Sequence, residues 1–104
     1  MRSYNKLVRD RIPEILEKLG KKFTYHVANR DEYENKLWEK LTEEVEEFRE
    51  APCQEEMADI LEVINALISF YGIDPYELET TRQAKAGHRG IFEEAFILEE
   101  VRDE

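Results

Sequence analysis

Four acidic side chains stand in two pairs, Glu44 with Glu47 and Glu56 with Asp59, the members of each pair three residues apart. Residues at that spacing on an α-helix are neighbours on one face, so each pair can present two carboxylates to a common point. Two such pairs facing one another would make an oxygen cage for a hard divalent cation. A donor set of carboxylates, with neither His nor Cys, favours Mg²⁺ or Mn²⁺. Mg²⁺ held in this way typically keeps positions open for water and for phosphates, the outline of a phosphoryl-chemistry site.

The helical wheel says where these carboxylates point. On a first helix with Leu41 as zero, Leu37, Val45 and Phe48 lie within about 40° and form a narrow apolar stripe. Glu44 then falls about 60° to one side and Glu47 about 120° to the same side, bordering that stripe. On a second helix with Ile60 as zero, Met57, Leu61, Val63, Ile64, Leu67, Ile68, Phe70 and Tyr71 spread over roughly half the circumference. Glu56 lies inside that arc and Asp59 on its margin. A buried carboxylate is costly unless paired or metal-bound, and the sequence shows no four matching bases nearby.

An ordinary reading competes. Acids in the first turn of a helix complement its dipole, which covers Glu55, Glu56 and Asp59. Runs such as Glu43 to Glu47 are commonly solvated faces. What favours a metal is the two pairs together, with Glu56 aimed at an apolar arc. Absences narrow the chemistry further. The chain has no glycine-rich phosphate loop and no calcium loop of EF-hand spacing. Neither His26 nor His88 follows a Glu at the spacing a carboxylate-bridged di-iron bundle needs.

The elements that must position these residues read as mainly α, a bundle of about four helices. Pro13 suits a first helical position and Gly20 a C-terminal cap, giving a short helix from Pro13 to Leu19. Lys21 to Ala28 alternates apolar and polar residues, a strand signature in which His26 is a strand residue rather than a ligand. Asp31 can cap a long helix to about Glu50, ended by Ala51-Pro52. A further helix runs from about Gln54 to Tyr71 and stops at Gly72. Asp74 and Pro75 open another to about Ala86, closed by Gly87. The tail from Ile91 to Val101 fits neither period. It allows a two-stranded antiparallel sheet with Lys21 to Ala28, a final helix being the alternative.

At 104 residues the chain is expected to form one domain, short enough that oligomerisation would help it. The broad apolar arc of the second long helix points the same way, toward a dimer or larger homo-oligomer. Charged residues make up 38% and the net charge is -10, which argues against binding a nucleic-acid backbone. An anionic substrate would therefore need a mediating cation. The single Cys53 excludes an internal disulfide framework and a thiolate-cluster metal site, and fits a reducing cytoplasm. No signal segment opens the sequence, and the run from Val63 to Tyr71 is too short and polar to span a bilayer, so the expectation is a soluble intracellular protein without a membrane partner.

Glu43-Glu44-x-x-Glu47 followed by Glu56-x-x-Asp59 resembles the signature of the all-α nucleoside triphosphate pyrophosphatases, the MazG-like superfamily. The opening YNKLVRDRIPEIL, the segment EEMADILEVINAL and the closing RGIFEEAFILEEV resemble its small phosphoribosyl-ATP pyrophosphohydrolase-like branch, over nearly the whole chain. One departure is that only eight residues separate Glu47 from Glu56, fewer than is usual in the superfamily. That bears on the nucleobase pocket rather than on the metal ligands. The resemblance implies hydrolysis of a nucleoside triphosphate between the α- and β-phosphates, giving a monophosphate and pyrophosphate. Glu44, Glu47, Glu56 and Asp59 would hold Mg²⁺, and Glu47, or else Glu43, would act as general base. Lys6, Arg9, Arg11, Lys85 and Arg89 are candidates for the phosphates, and Asn65 for sugar or base. The alternatives are the phosphoribosyl-ATP step itself and a non-catalytic helical regulatory module of the same fold.

Overall fold

A computed structural model describes residues 4–103. Among them the chain is mainly α, with helices α1 (Ile12–Lys18), α2 (Arg30–Glu50), α3 (Gln54–Phe70) and α4 (Pro75–Arg89). It divides into two compact units, Met1–Gly72 and Ile73–Glu104.

The first unit is organised by the hairpin of α2 and α3. Pro52 lacks an amide hydrogen and disfavours helical geometry in the residue before it, which ends α2 at Glu50. The opposite end of α2 is capped by Asn29, whose side chain accepts a hydrogen bond from the Glu32 amide at 2.9 Å. The sequence suggested Asp31 for that role. Asp31 instead lies in the first turn, where its charge complements the helix dipole.

Leu37, Val63 and Leu67 are buried where α2 packs on α3, with Leu7, Tyr33, Leu41, Ala66 and Phe70 partly buried against them. Far from the connecting turn, an aromatic clasp joins the start of α2 to the end of α3. Tyr33 meets Phe70 edge-on at 5.6 Å between centroids, and the Arg30 guanidinium lies 4.2 Å over the Phe70 ring. Trp38 Nε1 donates to the Tyr71 hydroxyl at 3.0 Å, and that hydroxyl donates to Glu34 Oε2 at 2.7 Å. The clasp and the apolar contacts fix the antiparallel register of the hairpin. That register sets the Glu44 turn of α2 against the first turns of α3.

The expected sheet does not form, and there is no strand among the described residues. Lys21 donates its amide to the Leu16 carbonyl at 3.1 Å, which closes α1. Residues 22–29 continue without a ladder. In the tail, a turn at 93–94 and a positive φ of 57° at Ala95 interrupt any extended run. Alternation supplies a face that can pair, yet a strand exists only when a second one satisfies its backbone groups.

In the second unit, Asp74 caps α4 as its sequence suggested, accepting from the amides of Tyr76 and Glu77 at 2.8 and 3.2 Å. The helix does not close at Gly87. It continues to Arg89, and Gly90, at φ 80° and ψ -172°, ends it while donating its amide to the Ala86 carbonyl at 2.8 Å. Only glycine adopts that backbone freely, whereas a helical glycine at position 87 is merely unfavourable.

Candidate metal centre

Glu44 is the pivot of the site. It lies on the buried side of α2 with 5% of its surface exposed, the one charged residue among the described residues to be buried so fully. Two carboxylate clusters share it. Glu43, Glu44 and Glu47 offer oxygens within 4.8 Å of one another, and so do Glu44, Glu56 and Asp59. The first cluster comes from successive turns of α2, and the second joins α2 to α3 across the hairpin. Each predicted metal ligand therefore lies in a cluster that contains Glu44: Glu47 in the first, with Glu43, and Glu56 and Asp59 in the second.

Two oxygens in this assembly are buried and lack a hydrogen-bond partner, Glu44 Oε2 and Glu56 Oε2. Burial raises the pKa of Glu44; a hydrogen bond from Lys40 opposes the shift and contact with Glu47 adds to it. An orphaned carboxylate oxygen in a protein interior is satisfied by a proton, a water or a cation.

Part of that demand is met by side chains of the protein. Lys40 Nζ lies 3.2 Å from Glu44 Oε1 and 3.4 Å from Glu43 Oε2, with only 19% of its side chain exposed. Lys6 Nζ is 2.9 Å from Glu43 Oε1, and Arg9 Nη2 is 2.6 Å from Asp59 Oδ1. The hydrogen bond from Lys6, followed by the influence of Lys40, holds the Glu43 carboxyl below its ordinary range despite some desolvation. The sequence shows no four matching bases nearby, and the fold supplies three, Lys40, Lys6 and Arg9. Lys40 stands one helical turn upstream, and the chain ahead of α1 returns two cations to the hairpin. Lys40 was legible in principle, since lysine three and four residues before Glu43 and Glu44 shares their face. The partners of Lys6 and Arg9, 37 and 50 residues away, follow from the tertiary structure alone.

The other candidates are placed differently. Arg11 pairs locally with Glu14 at 3.2 Å. Asn65 is exposed on α3 and takes no part in the hydrogen bonds of the acid cluster. Lys85 and Arg89 are exposed on α4 in the second unit, with His88 in the last turn of the same helix. His26 is engaged by Glu32 at 3.0 Å.

The donor set fits a small hard cation. Bonds of about 2.1 Å to an octahedral ion put its ligand oxygens roughly 3 to 4.2 Å apart, so clusters already within 4.8 Å need only a small contraction. Oxygen is the only donor element present, as Mg²⁺ and Mn²⁺ prefer. No protein-family model matches the chain, and no match to it was found among curated proteins or solved structures.

Proposed function

We propose that this chain is a Mg²⁺-dependent nucleoside triphosphate pyrophosphohydrolase, cleaving between the α- and β-phosphates to release a nucleoside monophosphate and pyrophosphate. It would act on intracellular nucleotides in a housekeeping role, as a homo-oligomer in the cytoplasm. The observation that carries this reading is the pair of buried, unpartnered carboxylate oxygens, Glu44 Oε2 and Glu56 Oε2, contributed by two different helices to one oxygen-lined cluster. The spacing of the acids and the resemblance of the sequence to the MazG-like superfamily support the substrate class.

Glu44, Glu47, Glu56 and Asp59 would hold the ion, with Mn²⁺ as a substitute. Bound there, Mg²⁺ supplies positive charge to the phosphates and acidifies water. The rest of the chemistry belongs to the chain. Glu47 takes the proton of the attacking water as general base. Glu43 is the weaker choice, because Lys6 and Lys40 hold its carboxylate in the ionised form and lower its basicity. Lys6 and Arg9, at the edge of the acid cluster, are suited to grip the triphosphate.

The test is pyrophosphate release from a panel of canonical and damaged nucleoside triphosphates, with Mg²⁺ and with chelator. Equal amounts of monophosphate and pyrophosphate are expected, only when Mg²⁺ is present. Glu56→Gln should reduce turnover to background while leaving the circular dichroism spectrum unchanged. Unaltered turnover in that variant, or release of inorganic phosphate in place of pyrophosphate, would overturn the assignment.

A further inference from the structure

The chain ahead of α1 is strapped across the hairpin by contacts of two kinds. Leu7 points inward and packs against the Leu37, Val63 and Leu67 core. Asn5, at a positive φ of 44°, turns its carbonyl to accept from Lys36 Nζ at 2.7 Å. These are anchors. Between and beyond them, Lys6 reaches Glu43 on α2, and Arg9 reaches Asp59 on α3, with Glu62 3.9 Å from its second nitrogen. The two cations therefore meet one acid of each cluster.

The charges do not close without a further ion. Glu43, Glu44, Glu47, Glu56, Asp59 and Glu62 are met by Lys6, Arg9 and Lys40 alone, so three negative charges stay uncompensated and a divalent cation would offset most of them. The three bases also differ in how firmly they are held. Lys40 is packed one turn from its partners, whereas the side chains of Lys6 and Arg9 are 43% and 56% exposed. Exposed ion pairs are weak, and a divalent ion that binds carboxylate oxygen directly outcompetes them.

Resting on the function proposed above, with Glu43 drawn to the ion beside its cluster partners Glu44 and Glu47, we infer that Lys6 and Arg9 are exchangeable counter-ions: they neutralise Glu43 and Asp59 before Mg²⁺ binds, leave those carboxylates when it does, and then take the phosphates of the substrate. Leu7 and the Asn5–Lys36 bond keep the freed cations beside the site. Metal loading and phosphate capture are consequently linked through the strap. Each favours the other beyond the direct contact of ion with phosphate, and the coupling is reciprocal.

Two measurements on the full chain test this. The first is calorimetric titration with Mg²⁺ alone for the wild type, the Lys6→Met, Arg9→Met double variant and an Arg11→Met control. Removing the competing cations should tighten Mg²⁺ binding by about threefold or more, while the control matches the wild type. The double variant should also lose affinity for inorganic triphosphate in saturating Mg²⁺. The second is the rate of tryptic cleavage after Lys6 and Arg9 in the wild type, read by mass spectrometry. Mg²⁺ should accelerate it by freeing both side chains, whereas ordinary ligand stabilisation slows proteolysis.

Unchanged or weaker Mg²⁺ binding by the double variant overturns the exchange while leaving the hydrolase reading intact. A wild type that binds no Mg²⁺ overturns both. Should the double variant fail to fold, the proteolysis decides, and cleavage that is slowed or unaffected by Mg²⁺ sinks the inference.

Discussion

Glu44 shows how a single residue can be set by forces of opposite sign. Burial makes its ionised form unfavourable, Lys40 counters that, and Glu47 worsens it, the net effect being a raised pKa. A carboxyl that binds protons more readily folded than unfolded costs stability above its folded pKa and ceases to do so below the ordinary value of 4.5. Glu43 is the reverse case. Lys6 lowers its pKa, so it contributes stability above 4.5 that is lost as pH falls through its folded value. The metal-free Glu44→Gln variant should therefore be more stable than the wild type near neutral pH, by about 1 kcal/mol. That advantage should shrink on acidification through the raised Glu44 pKa and vanish near 4.5. Urea unfolding of both proteins in chelator across this range checks it, and a difference independent of pH would contradict the assignment. The same substitution should abolish stabilisation by Mg²⁺, since it removes the carboxylate that both clusters share. The sequence identified Glu44 through its three-residue spacing from Glu47 and its place beside the apolar stripe. Its net burial is a property of the packed hairpin.

The helices follow local chemistry closely, and their ends follow it less well. Pro52 and Gly72 stop α2 and α3 where expected because each acts through its own backbone. Asn29 displaced Asp31 as the cap of α2, since both side chains can serve and the choice depends on which residue turns extended. The two glycines at the end of α4 make the point testable. Neither has anything within 4 Å of the place a β-carbon would occupy, so substitution there reports the backbone alone. Gly87→Ala should strengthen α4 by about 0.5–1 kcal/mol, because it removes a flexible residue from a helix interior. Gly90→Ala should weaken it by about 1 kcal/mol or more, since φ 80° with ψ -172° strains any residue with a side chain. Helicity by circular dichroism and amide exchange along α4 would separate the two; equal effects would mean that the helix ends at Gly87 after all. The segments 22–29 and 91–101 carry β-type patterns without forming strands, because pairing is a relation between segments that neither sequence contains alone.

At the scale of the whole molecule, the first unit buries few apolar side chains, Leu37, Val63 and Leu67, while Met57, Leu61 and Ile64 of α3 remain 39%, 54% and 37% exposed. No helix among the described residues is long and apolar enough to cross a membrane. The proposed self-association would cover this part-exposed apolar face of α3. Sedimentation should accordingly show an oligomer that Leu61→Glu dissociates, with a fall in thermal stability that depends on protein concentration. A wild type that remains monomeric at high concentration would remove that part of the proposal. The sequence by itself determined the mainly α fold, the breaks between helices and the pairing of acids along each helix. All of these depend on side chains or backbones within a turn or two of one another. The tertiary structure alone decided that Glu44 meets Glu56 and Asp59, that an oxygen of Glu44 and one of Glu56 are buried without partners, and that Lys6 reaches Glu43 and Arg9 reaches Asp59. Those contacts join residues separated by a connecting turn or by dozens of positions, and only the packed register of α2 on α3 sets their distances.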